Sequence, residues 1–168
     1  YPLSALVGKK KIMKLMEDIF FSSTFGGETI SLAASIATIN KMQKFDTINK
    51  VKINGQKIIK GVNKIILKNN MEDYIGISNI NWWPKLIINS PISQENVFIS
   101  LLRQEFLQNG LMLNSTFNLC LEHSNASIFS NTLLKFENSI LSIKDYINSK
   151  NPRKYLKGDL VQKIFKVR

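Results

Sequence analysis

Phe21-Ser22-Ser23-Thr24-Phe25-Gly26-Gly27-Glu28-Thr29 runs straight into an alanine-rich stretch, and the reading of this junction decides the fold. Beyond it, Ile30, Ala33, Ala34, Ala37 and Met42 recur three to five residues apart, which predicts a helix over about residues 28–45. Residues 22–27 then form a hydroxyl- and glycine-rich loop at the N-terminus of that helix. Such a place presents unpaired backbone N–H groups and the positive end of the helix dipole to an anion. Glycines let a ligand approach the backbone, and a Ser or Thr hydroxyl adds a directed donor. The same residues also suit an ordinary capped helix behind a glycine turn, so the loop alone does not establish a phosphate site.

Upstream, residues 3–7 form a short apolar run that ends at Gly8 and is predicted as a strand. Residues 9–18 read as a short surface helix, and Phe20-Phe21 as strand-like. Downstream, Ile48, Val51, Gly55, Ile58, Val62 and Ile65 alternate at spacings of three and four, predicting a second helix over about residues 46–67. The period then changes. Ile75, Ile77 and Trp82, followed by Leu86-Ile87-Ile88, predict two strands, with Pro84 at a bend or sheet edge. A helix over about residues 93–109 carries Val97, Leu101, Leu102 and Phe106 and stops at Gly110, after which Leu111-Met112-Leu113 is predicted as a short strand. The last helix is the most regular, with Phe129, Leu133, Phe136, Ile140, Ile143 and Ile147 on one stripe and Ser124 as the expected N-cap. This order predicts an α/β fold: a mixed sheet with helices packed on one side.

The chain has 168 residues and the balance of apolar and charged residues of a globular domain. No apolar run reaches the length of a membrane span, and the cytoplasm is the expected compartment. One cysteine and one histidine exclude an internal disulfide and argue against a zinc centre made by this chain alone. Cys120 lies between Leu119 and Leu121 and is expected to be a buried small hydrophobe. The formal charge of +11 invites a nucleic-acid partner, but the lysines are scattered, with no arginine stripe and no basic-aromatic platform. A solvated surface is the expected reading.

Several phrases together carry a family resemblance. Pro2-Leu3-Ser4-Ala5-Leu6-Val7-Gly8, then Lys11-Ile12-Met13, then Ser23-Thr24-Phe25-Gly26-Gly27, then Leu32-Ala33-Ala34 resemble consecutive landmarks of the class III, fold-type-I, pyridoxal-phosphate (PLP) aminotransferases. Gly110-Leu111-Met112-Leu113, His123-Ser124 and the closing segment from Gly158 resemble later landmarks, nearest to glutamate-1-semialdehyde aminomutase-like members. Gly26-Gly27-Glu28-Thr29 departs from the Gly-Asn-Pro that many members carry.

The resemblance implies that this is the C-terminal part of such an enzyme. Residues 1–41 would end the large PLP-binding domain, and residues 42–168 would form the small C-terminal domain covering the substrate. Thr24 would donate to the phosphate of pyridoxal 5'-phosphate held by the neighbouring subunit of a homodimer, with Ser23 secondary and Gly26 and Gly27 allowing close approach. The whole protein would be a transaminase or aminomutase acting on a small amino-acid or amino-sugar-like substrate. The Schiff-base lysine of the family precedes the first phrase, so it is expected before Tyr1, and Lys9, Lys10 and Lys11 come too late to be it. No catalytic residue and no metal ligand are therefore expected in this chain. Beside this stand two other readings: a non-catalytic basic module binding nucleic acid, and a remnant that only dimerises.

Four other residues attract notice. His123 follows Glu122, but adjacent side chains point apart and no nucleophile is evident, so a role at the start of the helix or at an interface is expected. Trp82 and Trp83 read as partial core or a substrate-facing wall, and Arg103 as an exposed position on its helix. Arg168 has the chemistry to grip a carboxylate with both arms of its guanidinium.

Overall fold

The computed structural model describes residues 1, 3–89 and 95–162. The chain divides into two compact units, Tyr1–Thr47 and Ile48–Arg168. It is a helix-rich mixed fold, and its one sheet among the described residues has two strands.

The first unit contains α1 (Lys10–Met13), a 3-10 turn over Lys14–Glu17, and α2 (Thr29–Lys44). The strands predicted at residues 3–7 and at Phe20-Phe21 are absent; both stretches are irregular and exposed. A strand needs a neighbour to take its backbone hydrogen bonds, and no described segment of this unit supplies one. The predicted helix of residues 28–45 is present as α2, yet none of its residues is buried. Ile30, Ile36 and Ile39 are each more than half exposed.

The second unit has a continuous core. α3 (Thr47–Lys68) buries Gly55, Ile58, Val62 and Ile65 of the predicted stripe, whereas Ile48 is exposed. Gly55 and Gly61 mark two close approaches. A Cβ on Gly55 would fall on the carbonyl of Asn81, and one on Gly61 would lie 2.6 Å from a Leu133 methyl. α3 ends in a left-handed residue, Asn70 (φ 54°). The Met71 amide reaches back to the Ile66 carbonyl and the Asn70 amide to that of Leu67, a Schellman pair, and Met71 drops into the core.

β1 (Ile75–Ile77) and β2 (Leu86–Ile88) pair antiparallel, with Ile75 opposite Ile88 and Ile77 opposite Leu86. Trp82 and Trp83 sit in the exposed turn between them, and the Trp83 indole donates to Asn118 Oδ1 at 3.0 Å. The strand predicted at residues 111–113 is not formed. Pairing comes instead a little further on, where Leu86 donates to the Ser115 carbonyl and Phe117 to that of Pro84.

The reason lies at the end of α4 (Glu95–Gln108). Gly110 (φ 71°) makes a second Schellman pair, Leu111 N–H to Phe106 and Gly110 N–H to Leu107, which reverses the chain before it can join the sheet. Residues 93 and 94, where the sequence starts this helix, lie outside the described residues. α5 (Ala126–Ile147) is capped by Asn125, whose Oδ1 accepts from Ser127 and Ile128, and not by Ser124 as expected. Ser124 instead ends a 3-10 turn (Leu121–Ser124), and its hydroxyl accepts from Asn54.

Ile58, Val62, Phe98, Leu101, Phe106, Phe117, Phe136, Ile140 and Ile143 form the centre of this core. Phe136 stacks on Phe106, with ring centroids 5.5 Å apart. Glu105 is buried in this setting and accepts from Gln104 and the Tyr146 hydroxyl. Burial first, and the Glu105 charge second, raise the pKa of Tyr146 above the ordinary tyrosine value.

Candidate phosphate-binding loop

Thr24, Ser23, Gly26 and Gly27 lie on one exposed loop before α2, in the first unit. Two successive turns shape it: Gly26 N–H donates to the Ser23 carbonyl at 3.1 Å, and Glu28 N–H to the Phe25 carbonyl at 3.2 Å. At Gly26 a Cβ would stand 2.9 Å from Ser23 Oγ, so a larger residue there would push the Ser23 hydroxyl aside. Around Gly27 nothing lies within 4 Å of where a Cβ would be, which leaves its backbone open to a ligand. The Ser23 and Thr24 hydroxyls donate to no described residue. The loop therefore gathers free donors on an exposed, closely turned backbone.

The first turn of α2 is less open than the sequence implied. Glu28 is its N-cap, accepting from the Ile30 amide at 2.9 Å and the Ser31 amide at 2.6 Å. Hydrogen bonding to Ser31, side chain and backbone, and then to the Ile30 amide lowers the Glu28 pKa below the ordinary glutamate value. The chain thus supplies its own anion to two of the helix N–H groups. A phosphate at this loop would be held by the hydroxyls rather than by the Ile30 and Ser31 amides, and the Gly26 and Glu28 amides are already given to the two turns.

The other sequence candidates are placed elsewhere. Cys120 is exposed, against expectation. The extended backbone here (φ −141°, ψ −178°) sends successive side chains to opposite sides, so apolar neighbours do not make Cys120 apolar in its surroundings. Its Sγ lies 3.3 Å from His123 Nδ1, and its backbone N–H donates to the same nitrogen at 3.1 Å. His123 therefore caps the 3-10 turn with its ring.

Arg103 is half-buried, again against expectation, and its Nε is buried without a hydrogen-bond partner. Arg168 lies outside the described residues. Among the described residues no group of three or more His, Cys, Asp or Glu side chains could hold a metal ion, and no helix is long and apolar enough to cross a membrane.

No protein-family model, curated protein or solved structure matches the chain.

Proposed function

We propose that this chain is the C-terminal part of a PLP-dependent aminotransferase or aminomutase and that its loop of residues 22–27 holds the cofactor phosphate. The observation that carries the reading is the loop itself: two free hydroxyls, Ser23 and Thr24, beside an open Gly27 backbone and immediately before an apolar helix. These groups fit a phosphate, whose oxygens only accept. When bound, the cofactor would act as the electron sink of amino-group transfer. Thr24 would donate its hydroxyl to the phosphate in a dimer, Ser23 would add a second donor, and Gly26 and Gly27 would allow the close approach. Glu28 would hold the first turn of α2 in place and so fix the loop against it. The Schiff-base lysine would come from sequence before Tyr1, and the second unit would cover a small amino-group-bearing substrate.

The exposed apolar surface of the first unit supports the same reading. Phe20, Phe21 and Phe25 are each more than two-thirds exposed beside the apolar α2. Surface of this kind is ordinarily covered by other protein.

The role of Thr24 is tested by titrating PLP against the complete protein and its Thr24→Val variant. One lost hydrogen bond to a charged oxygen, about 1.5–3 kcal/mol, weakens PLP roughly 10- to 100-fold. Unchanged affinity in a folded variant would remove Thr24 from the site.

A further inference from the structure

Lysines that lie scattered along the sequence are gathered into one line by α3. At about 100° per residue, Lys50, Lys57, Lys60, Lys64 and Lys68 fall within roughly a quarter of the helix circumference. All five are exposed, because Ile58, Val62, Ile65 and Ile66 turn a different face of α3 into the core. At 1.5 Å of rise per residue the line is about 27 Å long. The buried face holds it in place on the surface of the second unit.

This line differs from an ordinary solvated helix face, which mixes acids with its lysines. α3 contains no Asp or Glu. Lys57, Lys60, Lys64 and Lys68 succeed one another at spacings of three and four, where like charges are neighbours and work against the helix. Among the described residues one of the five is ion-paired, Lys68 with Glu137 at 2.7 Å. A polyanion laid along the line would turn this repulsion into attraction.

We infer that the outer face of α3 docks on duplex DNA, with its lysines on the phosphates. A lysine ammonium is a compact point charge on a flexible stem and serves a phosphate without needing a fixed geometry. Beside the lysines, at a seven-residue spacing of their own, stand Asn49, Gln56 and Asn63, all exposed. Carboxamides suit base edges, and the major groove of B-form DNA is wide enough to admit an α-helix, whereas that of duplex RNA is too deep and narrow. A single strand would call for aromatic side chains to stack on, and α3 has none. A membrane surface would call for an apolar face to insert. That face of α3 is spent on the core, leaving Ile53 and Leu67 exposed far apart among the polar residues. The inference rests on α3 alone and stands or falls separately from the cofactor reading.

The complete protein is titrated into a fluorescein-labelled DNA duplex over a series of salt concentrations and followed by anisotropy. The same titration is run on the triple variant Lys57→Gln/Lys60→Gln/Lys64→Gln and on Lys9→Gln/Lys10→Gln/Lys11→Gln, which removes the same charge from the first unit. Gln is about as good a helix former as Lys, so the α3 variant keeps its fold. Four to five phosphate contacts give a slope of log affinity against log salt of about −4. The α3 variant should bind at least tenfold more weakly, with a slope shallower by about 2.7, and the first-unit variant should keep the slope. Phosphatidylserine vesicles, poly-glutamate and an RNA duplex of the same length should all bind more weakly than the DNA. No binding of the duplex, an unchanged slope in the α3 variant, or an equal loss in both variants would overturn the inference. So would equal or tighter binding of the vesicles, the polymer or the RNA.

Discussion

Gly55 shows how much one missing methyl group can decide. Its Cα lies so close to the Asn81 carbonyl that no side chain fits, and the occupant on the other side is backbone, which has little freedom to move. Gly55→Ala is expected to destabilise the second unit by about 2–3 kcal/mol, the cost of overpacking a rigid contact, as read from denaturant unfolding. No loss, or the gain of about 0.5–1 kcal/mol that Gly→Ala ordinarily brings inside a helix, would place the Asn81 loop elsewhere. The sequence carried only half of this information: Gly55 fell on the apolar stripe of α3, so its burial was legible, but its partner, 26 residues away in an irregular turn, was not. Arg103 misled for a related reason. Its helix was correctly read, but the segment that folds back over it is placed by Gly110, and helical spacing says nothing of that.

At the scale of elements, the caps are where sequence and structure meet most closely. Gly110 was legible as a stop because a left-handed residue there favours glycine. Gly110→Ala should cost about 1 kcal/mol through that positive φ, seen as a lowered midpoint of unfolding, with no change expected if the turn relaxes to another conformation. Asn70 ends α3 in the same way, but Asn also suits ordinary loops, so its role could not be read in advance. The cap of α5 was placed one residue early because Ser124 and Asn125 are both good caps, and only the Asn125 hydrogen bonds distinguish them.

The cap of α2 has a pH signature. Glu28 is held below its ordinary pKa, so its contribution to the helix is complete above the unfolded-state value and is lost as pH falls through the lower folded-state value. The Ile30 and Ser31 amide resonances should therefore titrate with a midpoint below that of an unperturbed glutamate, and should not titrate in Glu28→Gln. A midpoint at or above the ordinary value would mean the cap is not formed. The predicted strands at residues 3–7 and 20–21 failed at this same scale. Short apolar runs satisfy strand and irregular segment alike until a pairing neighbour is present.

The whole molecule has two unlike halves. The second unit closes around its own core, and the stripes of α3, α4 and α5 made the helical part of that core legible, since helical periodicity reports directly which face is covered. The first unit has no buried hydrophobic side chain among its described residues and leaves its phenylalanines and α2 facing outward. Sequence pattern marked those residues as apolar but could not supply the surface that covers them. The proposed assembly supplies it, through the remainder of the large domain and a second subunit, and in that assembly the Thr24 loop would face a cofactor. The most direct measurement is the visible absorbance of the complete purified protein with PLP, before and after borohydride. The account predicts a protein-bound visible band that borohydride abolishes while fixing the cofactor covalently to the protein. A well-folded protein that takes up no PLP and shows no such band would contradict it.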